Sequence, residues 1–252
     1  QEYVAFDLET TGFDGSECEI IEIAATKIVK GFPVEEFNHL VKPKSEIPFN
    51  IQKLTSITPD MVEKAPLENI ILEDFIDFIG DLPLLAHNVM FDITFLRKRL
   101  EYWGLPNVFN QIFDTLSLAQ TLYPRLINHK LETLSDFFLV ELDHHHRAYA
   151  DVEALLKIAN KLWQRYLSLP ESLIGQLNYL LRYTALPGMM TLAHNALEQR
   201  SQIGAEPPLT NSKYIINLNN TFGETEEEEI DFDENVVKKS LTAEGTLPRF
   251  IN

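Results

Sequence analysis

The 252-residue chain contains a single cysteine, Cys18. One thiol excludes an internal disulfide framework, and no ligand pattern of Cys and His surrounds it. It reads as an inert thiol of a reducing compartment, here the cytoplasm. No apolar run approaches the roughly 18 residues a membrane-spanning helix needs, so no membrane association is expected. The opening Tyr3-Val4-Ala5-Phe6 is too short for a secretory signal and has neither a cationic flank nor a cleavage site. The chain starts on Gln1 rather than Met, which raises the expectation of a longer parent protein. No Gly-x-x-x-x-Gly-Lys-Ser/Thr pattern occurs, so no ATPase loop is expected in it. Positive charge is scarce too. With 21 Lys and Arg against 38 Asp and Glu, the formal net charge is −17. Such a balance argues against broad, non-specific binding to duplex nucleic acid, which depends on neutralising phosphates.

What is present is a hydrophobic fraction of 45%, enough for a real core. Residues 3–7 form a short apolar run ending at an acid, as a buried strand would. Residues 19–29 are β-branched and partly alternating, Lys30-Gly31-Phe32-Pro33 reads as a hairpin turn, and residues 34–42 return. Helical spacing follows at 67–79, ended by Gly80-Asp81, then a short strand at 83–86 and a helix over 90–103. A last strand at 112–113 precedes helices at 115–123, 131–138 and 149–167. Three meander strands followed by β-α-β-α units predict an α/β domain with a mixed sheet over residues 1–168. Residues 169–252 read as a helical appendage and acidic linker. Two helices are expected at 171–183 and 189–201, then a strand-like run at 214–218 and the acidic run 226–229.

Three short constellations carry chemistry. Asp7 and Glu9 stand two apart at the end of the first strand, so both side chains face one way. Two crowded acids suit a hard divalent ion held by oxygen ligands, although a solvated strand end also accommodates them. His87-Asn88-Val89-Met90-Phe91-Asp92 lies where a strand gives way to a helix. Asp92 falls in the first turn, where the helix dipole favours a carboxylate and where a plain capping acid is common. His146-Arg147-Ala148-Tyr149-Ala150-Asp151 leads into a long helix. With His146 in the loop and Asp151 in the first turn, both can approach one site, although a surface histidine beside a capping acid reads the same way. His144, His145 and His146 are adjacent and cannot all ligate one zinc ion.

Taken together and in this order, these residues resemble the DEDDh, or DnaQ-like, exonucleases, which include bacterial polymerase proofreading subunits. The resemblance rests on Phe6-Asp7-Leu8-Glu9-Thr10-Thr11-Gly12, on Ala86-His87-Asn88 with Phe91-Asp92, and on His146-Arg147-Ala148 with Asp151. Leu54-Thr55-Ser56-Ile57-Thr58 resembles a further family segment, commonly LTGIT, with Ser56 in place of the usual Gly. The resemblance implies an RNase H-like fold with a five-stranded mixed sheet. It also implies two Mg²⁺ or Mn²⁺ ions, with Asp7 shared, Glu9 and Asp151 completing one site and Asp92 serving the second. His146 would be the general base, since neutral imidazole near pH 7 can take a proton from the attacking water. Thr10, Thr11, Leu54, His87, Asn88 and Phe91 would form the substrate-binding set, with Phe13, Leu54 and Phe91 placed to stack on or wedge the last base. Arg97, Lys98 and Arg99 are either backbone contacts or a solvated helix end.

The expected reaction is 3′→5′ removal of nucleotides from DNA single strands or 3′ ends. Bound ions would reconcile that reaction with the acidic charge, because they reverse the local sign. An RNA-trimming enzyme of the same fold is the first alternative, which Thr10 disfavours because oligoribonuclease-like members carry Met there. A non-catalytic docking module for a polymerase or helicase is the second. The pattern Phe232-Asp233-Glu234-Asn235 to Leu247-Pro248-Arg249 resembles the connection to a DinG-type helicase, which would begin beyond Asn252.

Overall fold

The computed structural model describes residues 2–141 and 147–181. Strand β1 (Glu2–Thr10) is central, and β2 (Ile20–Val29) and β3 (Phe32–Leu40) follow it as an antiparallel meander. Two short helices, α1 (Phe49–Thr55) and α2 (Pro59–Val62), lead to α3 (Glu68–Ile79). Then come β4 (Leu84–Ala86), α4 (Val89–Trp103), β5 (Ile112–Asp114), α5 (Thr115–Leu122), α6 (Leu131–Phe138), α7 (Ala148–Leu167) and α8 (Glu171–Leu181). The strand order is β3-β2-β1-β4-β5, with β4 and β5 parallel to β1. This is the five-stranded mixed sheet the sequence predicts.

The alternation of β1 assigns its two faces. Val4, Phe6 and Leu8 enter a core with Ile71, Leu72 and Phe75 of α3 and Ile93, Phe95 and Leu96 of α4. Ala5, facing the other way, meets Ala24 of β2 and Ala148, Val152 and Leu155 of α7. The three alanines have no more than a methyl group, so α7 can lie close to the strands. Asp7 and Glu9 continue the Ala5 face and therefore point toward α7. A third cluster joins α5, α6 and α7, and Leu169 just before α8 and Ile174 in its first turn are buried in it.

Several boundaries differ from the sequence reading. Strand β1 extends to Thr10, so Glu9 is a strand residue held in register with Glu22. The hairpin turn is Lys30-Gly31, both at positive φ (52° and 84°). Such a pair suits a tight turn between twisted strands, and it places Phe32 and Pro33 in β3. That strand is the sheet edge, where proline is tolerated. Helices α1 and α2 are too short for periodicity to reveal. Ser56, which ends α1, is left-handed (φ 58°, ψ 14°), the conformation that glycine adopts without steric cost. Ser56→Gly is expected to raise stability by about 1 kcal/mol in chemical denaturation.

Each of the bases near the end of α4 has a partner in the protein, although only Arg99 is buried and Lys98 stays partly exposed. Arg99 is buried and donates through Nε and Nη2 to Glu68 of α3. Glu68 also accepts from Trp103 Nε1 (2.7 Å) and the Ile20 N–H (3.0 Å), while Arg99 Nη1 donates to the Gly15 carbonyl. Lys98 pairs with Asp14 and Arg97 donates to the Val108 carbonyl. The Glu68 network joins α3, α4, the loop after β1 and the start of β2. Removing one partner strands a buried charge, so Glu68→Ala is expected to cost about 3 kcal/mol in urea unfolding, with Glu68→Gln less damaging.

His146 and the rest of 142–146 lie outside the described residues, as does everything after 181. The expected helix at 189–201, the strand-like run at 214–218 and the acidic run at 226–229 fall there. Among the described residues, no helix is long and apolar enough to cross a membrane.

Candidate active site

The carboxylate oxygens of Asp7, Glu9 and Asp151 come within 4.8 Å of one another, and all three side chains are half-buried. Strand alternation supplies the first two. Asp151 arrives from the first turn of α7, where its N–H makes the first bond of the helix, to the Arg147 carbonyl. Asp92 stands apart from this trio but acts on it. It is buried near the start of α4, and its carboxylate accepts from its own N–H and from the N–H of Leu8 in β1.

These acids crowd one another. Burial first, and then the negative charges of Asp92, Glu9, Asp151 and Glu22, push Asp7 well above the usual carboxylate range. Burial, with Asp151, Glu22 and Asp92 adding to it, raises Glu9 to about 8, and Arg147 works in the opposite direction. Burial raises Asp92 to about 8 as well, with its two backbone hydrogen bonds opposing and Asp114 adding. Three converging carboxylate oxygens form the kind of donor set that a hard divalent ion requires. The residues present fit such an ion, among the described residues at this trio with Asp92 beside it.

The turn that delivers Asp92 is braced from β5. Asn88, at the start of α4, is left-handed (φ 67°, ψ 45°). The Asp114 carboxylate accepts from the Asn88 N–H at 2.8 Å and the Val89 N–H at 3.3 Å. It also caps α5 through Leu116 N, Ser117 N and the Ser117 hydroxyl. His87 has both ring nitrogens occupied by protein groups: Nε2 lies 2.8 Å from the His129 carbonyl and Nδ1 2.9 Å from the Thr115 hydroxyl. Burial lowers its pKa; because a carbonyl can only accept, Nε2–H donates to His129, while Nδ1 meets the Thr115 hydroxyl, which also lies within reach of the Ala86 carbonyl at 3.3 Å. The side chain thus also braces the turn that carries Asp92.

Thr10 and Thr11 are also committed to the loop after β1. The Thr10 hydroxyl donates to the Gly12 carbonyl at 2.6 Å, and the Thr11 hydroxyl accepts from the Glu19 N–H. A Cβ at Gly12 would stand 2.6 Å from Cys18 Sγ, so a larger residue there would require the Cys18 thiol to turn away. Phe13 then projects outward, 85% exposed, with its ring edge-on to Phe91 at 6.4 Å. Leu54, at the end of α1, is 46% exposed.

Two residues that sequence reasoning passed over border the acids. Glu22 of β2 is fully buried, directly across the ladder from Glu9, and it binds Arg147 through two guanidinium nitrogens. Asp114 had a readable signal, an acid between a strand and Thr-Leu-Ser, which is a capping pattern. Glu22 had none, because nothing local distinguishes it from other strand acids.

Known proteins fit this geometry. Relatives described as DNA polymerase III PolC-type include that of Caldanaerobacter subterraneus subsp. tengcongensis, 40% identical over 180 residues, covering 71% of this chain and 13% of the relative. Another, from Clostridium perfringens, is 42% identical over 157 residues, covering 62% and 11%. The chain thus spans about an eighth of the length of these curated relatives. Among solved structures, exonuclease I aligns with TM-score 0.59 at 22% identity, covering 65% of this chain and 41% of that one. Escherichia coli exonuclease I in complex with a dT13 oligonucleotide aligns with TM-score 0.59 at 20% identity, covering 72% and 44%. These likenesses bear on the fold, which is RNase H-like. The family model RNase T, described as exonuclease, matches residues 4–159. That span runs from the start of the sheet into α7 and takes in all four acids, and it makes the chain a member of the RNase T exonuclease family, DnaQ-like in kind.

Proposed function

We propose that this chain is a metal-dependent 3′→5′ exonuclease acting on single-stranded DNA or DNA 3′ ends. In this reading Asp7, Glu9, Asp92 and Asp151 hold two divalent ions, Mg²⁺ or Mn²⁺. The observation that carries it is the approach of three carboxylates to within 4.8 Å, with Asp92 acting on Asp7 from a second element. Bound divalent ions would supply charge stabilisation to both the attacking and the leaving oxygen of a phosphodiester. The protein's own part is to hold its acids ready and to move a proton. His146 takes that proton from the attacking water through a neutral imidazole nitrogen. Exposed Phe13, edge-to-face with half-buried Phe91, offers a surface on which terminal bases stack, and Leu54 offers a wedge. The backbone of Thr10 and Thr11 faces the terminal nucleotide, while Asn88 and His87 keep the turn before Asp92 in shape.

DNA is favoured because the relatives at 40% and 42% identity carry a DNA polymerase name. The same names favour a polymerase over a helicase as the partner, in this chain's parent or in another chain. The test is digestion of a 5′-labelled single strand, as DNA and as RNA, with Mg²⁺, with Mn²⁺ and with chelator. A ladder descending from the 3′ end on DNA that vanishes with chelator is the expected result. Products that persist with chelator, or a strand shortened from the other end, would overturn the reading.

The raised acids also predict a pH dependence. Glu9 titrates near 4.5 when unfolded and near 8 when folded. Below the lower value both states hold the proton and no penalty arises. As pH climbs from there to about 8 the folded state retains a proton the unfolded chain releases, so stability is lost. Chelated protein is expected to melt at lower temperature at pH 8 than at pH 5. Mg²⁺ at a hundredfold excess over its Kd should return about 2.7 kcal/mol at the higher pH. Thermal scans at the two pH values, with and without Mg²⁺, check both signs.

A further inference from the structure

Glu22 sits awkwardly for an ordinary strand residue. It lies opposite Glu9 in the β1–β2 ladder, where like charges are destabilising. Its side chain is 1% exposed, so water does not relieve the repulsion. A neutral residue at this position would ease the crowding on both Asp7 and Glu9, since Glu22 acts unfavourably on each. The carboxylate is nonetheless fully engaged. It accepts from Arg147 Nε at 3.1 Å, from Arg147 Nη2 at 2.6 Å and from the Ala148 N–H at 3.0 Å.

The third of these bonds gives the arrangement its meaning. Ala148 is the first residue of α7, and Arg147, at the cap position, makes no side-chain capping bond. The first N–H groups of a helix need partners, and a carboxylate there is further favoured by the helix dipole. Glu22 therefore caps α7 from a neighbouring strand, 126 residues away in sequence. The bidentate pair with Arg147 adds direction, since a planar fork fixes orientation as well as distance. Asp151 lies three residues into the same helix, less than one turn from the clamp. A small rotation of this first turn carries the Asp151 carboxylate away from Asp7 and Glu9.

We infer that Glu22 is a positioning residue for the exonuclease reaction, acting through Arg147 and the Ala148 N–H to hold Asp151 against Asp7 and Glu9. The inference rests on the nuclease reading above. It assigns Glu22 no contact with substrate or ion. Arg147 has a second effect from the same place, lowering the pKa of Glu9 and so favouring the charged form that binds a cation.

The experiment uses the full chain with Glu22→Ala, Glu22→Gln, Arg147→Met and the Glu22→Ala/Arg147→Met double variant. It reads kcat and KM on a 5′-labelled single strand, Mn²⁺ affinity by calorimetry, and thermal unfolding with chelator. Glu22→Ala and Arg147→Met are each expected to lose about tenfold to a hundredfold in kcat or in Mn²⁺ affinity, with KM for the strand little changed. The double variant should be no worse than the weaker single one, because both break one clamp. Glu22→Gln keeps an acceptor for the Ala148 N–H and should return part of the loss. Parent-like kcat and Mn²⁺ affinity in Glu22→Ala would overturn the inference, as would lower melting temperature with unchanged kinetics. If Glu22→Ala does not fold, Glu22→Gln and Arg147→Met decide, and parent-like behaviour of both overturns it. A parent that neither binds Mn²⁺ nor shortens the strand defeats the nuclease reading and this inference with it. An active parent with unchanged variants defeats this inference alone.

Discussion

Asp7→Asn is expected to lower turnover about a thousandfold or more while making the chelated protein more stable. The two effects have one cause. Asp7 is the acid on which the others converge: Asp92, Glu9, Asp151 and Glu22 all act on its carboxyl group. Asparagine has nearly the same shape but no charge, so the repulsion that folding imposes is relieved and melting temperature rises. The same substitution replaces an anionic carboxylate with a neutral amide, a much weaker ligand for a hard divalent ion. Charge stabilisation by bound cations is worth several kcal/mol in such reactions, and about 4 kcal/mol corresponds to about a thousandfold. Stability and activity moving in opposite directions separates this outcome from simple unfolding. An Asp7→Asn protein that turns over within tenfold of its parent would remove Asp7 from the site.

His146→Ala should cost between about a hundredfold and ten-thousandfold in kcat, the range spanned by positioned general bases. Alanine removes the imidazole without adding charge, and the residue precedes α7 rather than lying within it, so the fold should persist. The pH profile gives the diagnostic. Parent kcat is expected to fall on the acid side of neutrality as the imidazole takes up a proton and can no longer accept one. The variant, already without a base, should lack that limb. Near-normal turnover in His146→Ala would move the base elsewhere.

The sheet was legible because strand alternation is a short-range signal. Apolar Val4, Phe6 and Leu8 alternate with Ala5, Asp7 and Glu9, and that pattern alone puts both acids on the face α7 covers. Helices α3, α4 and α7 were legible from their spacing, and α1 and α2 were not, being seven and four residues long. Asp7, Glu9 and Asp151 were brought together as the motif order suggested, and Asp92 approaches from α4. The supporting groups were largely hidden. Glu22 and Arg147 are 125 residues apart and Glu68 and Arg99 are 31 apart. No local pattern connects such partners, since each is explained only by the charge opposite it in space. Arg97, Lys98 and Arg99 show the same limit. On the sequence they form one basic cluster, and in the fold they serve three different partners.

The docking of α7 on the small alanines of β1 and β2 has a consequence for the order of synthesis. A ribosome that has released only the segment through α6 has made the sheet, α3 and α4, and with them Asp7, Glu9 and Asp92. It has not yet made Asp151, nor the arginine that answers Glu22. On the proposed function, hydrolysis then waits for a late segment to close over an early one, and a chain cut short before that point is a scaffold without a blade.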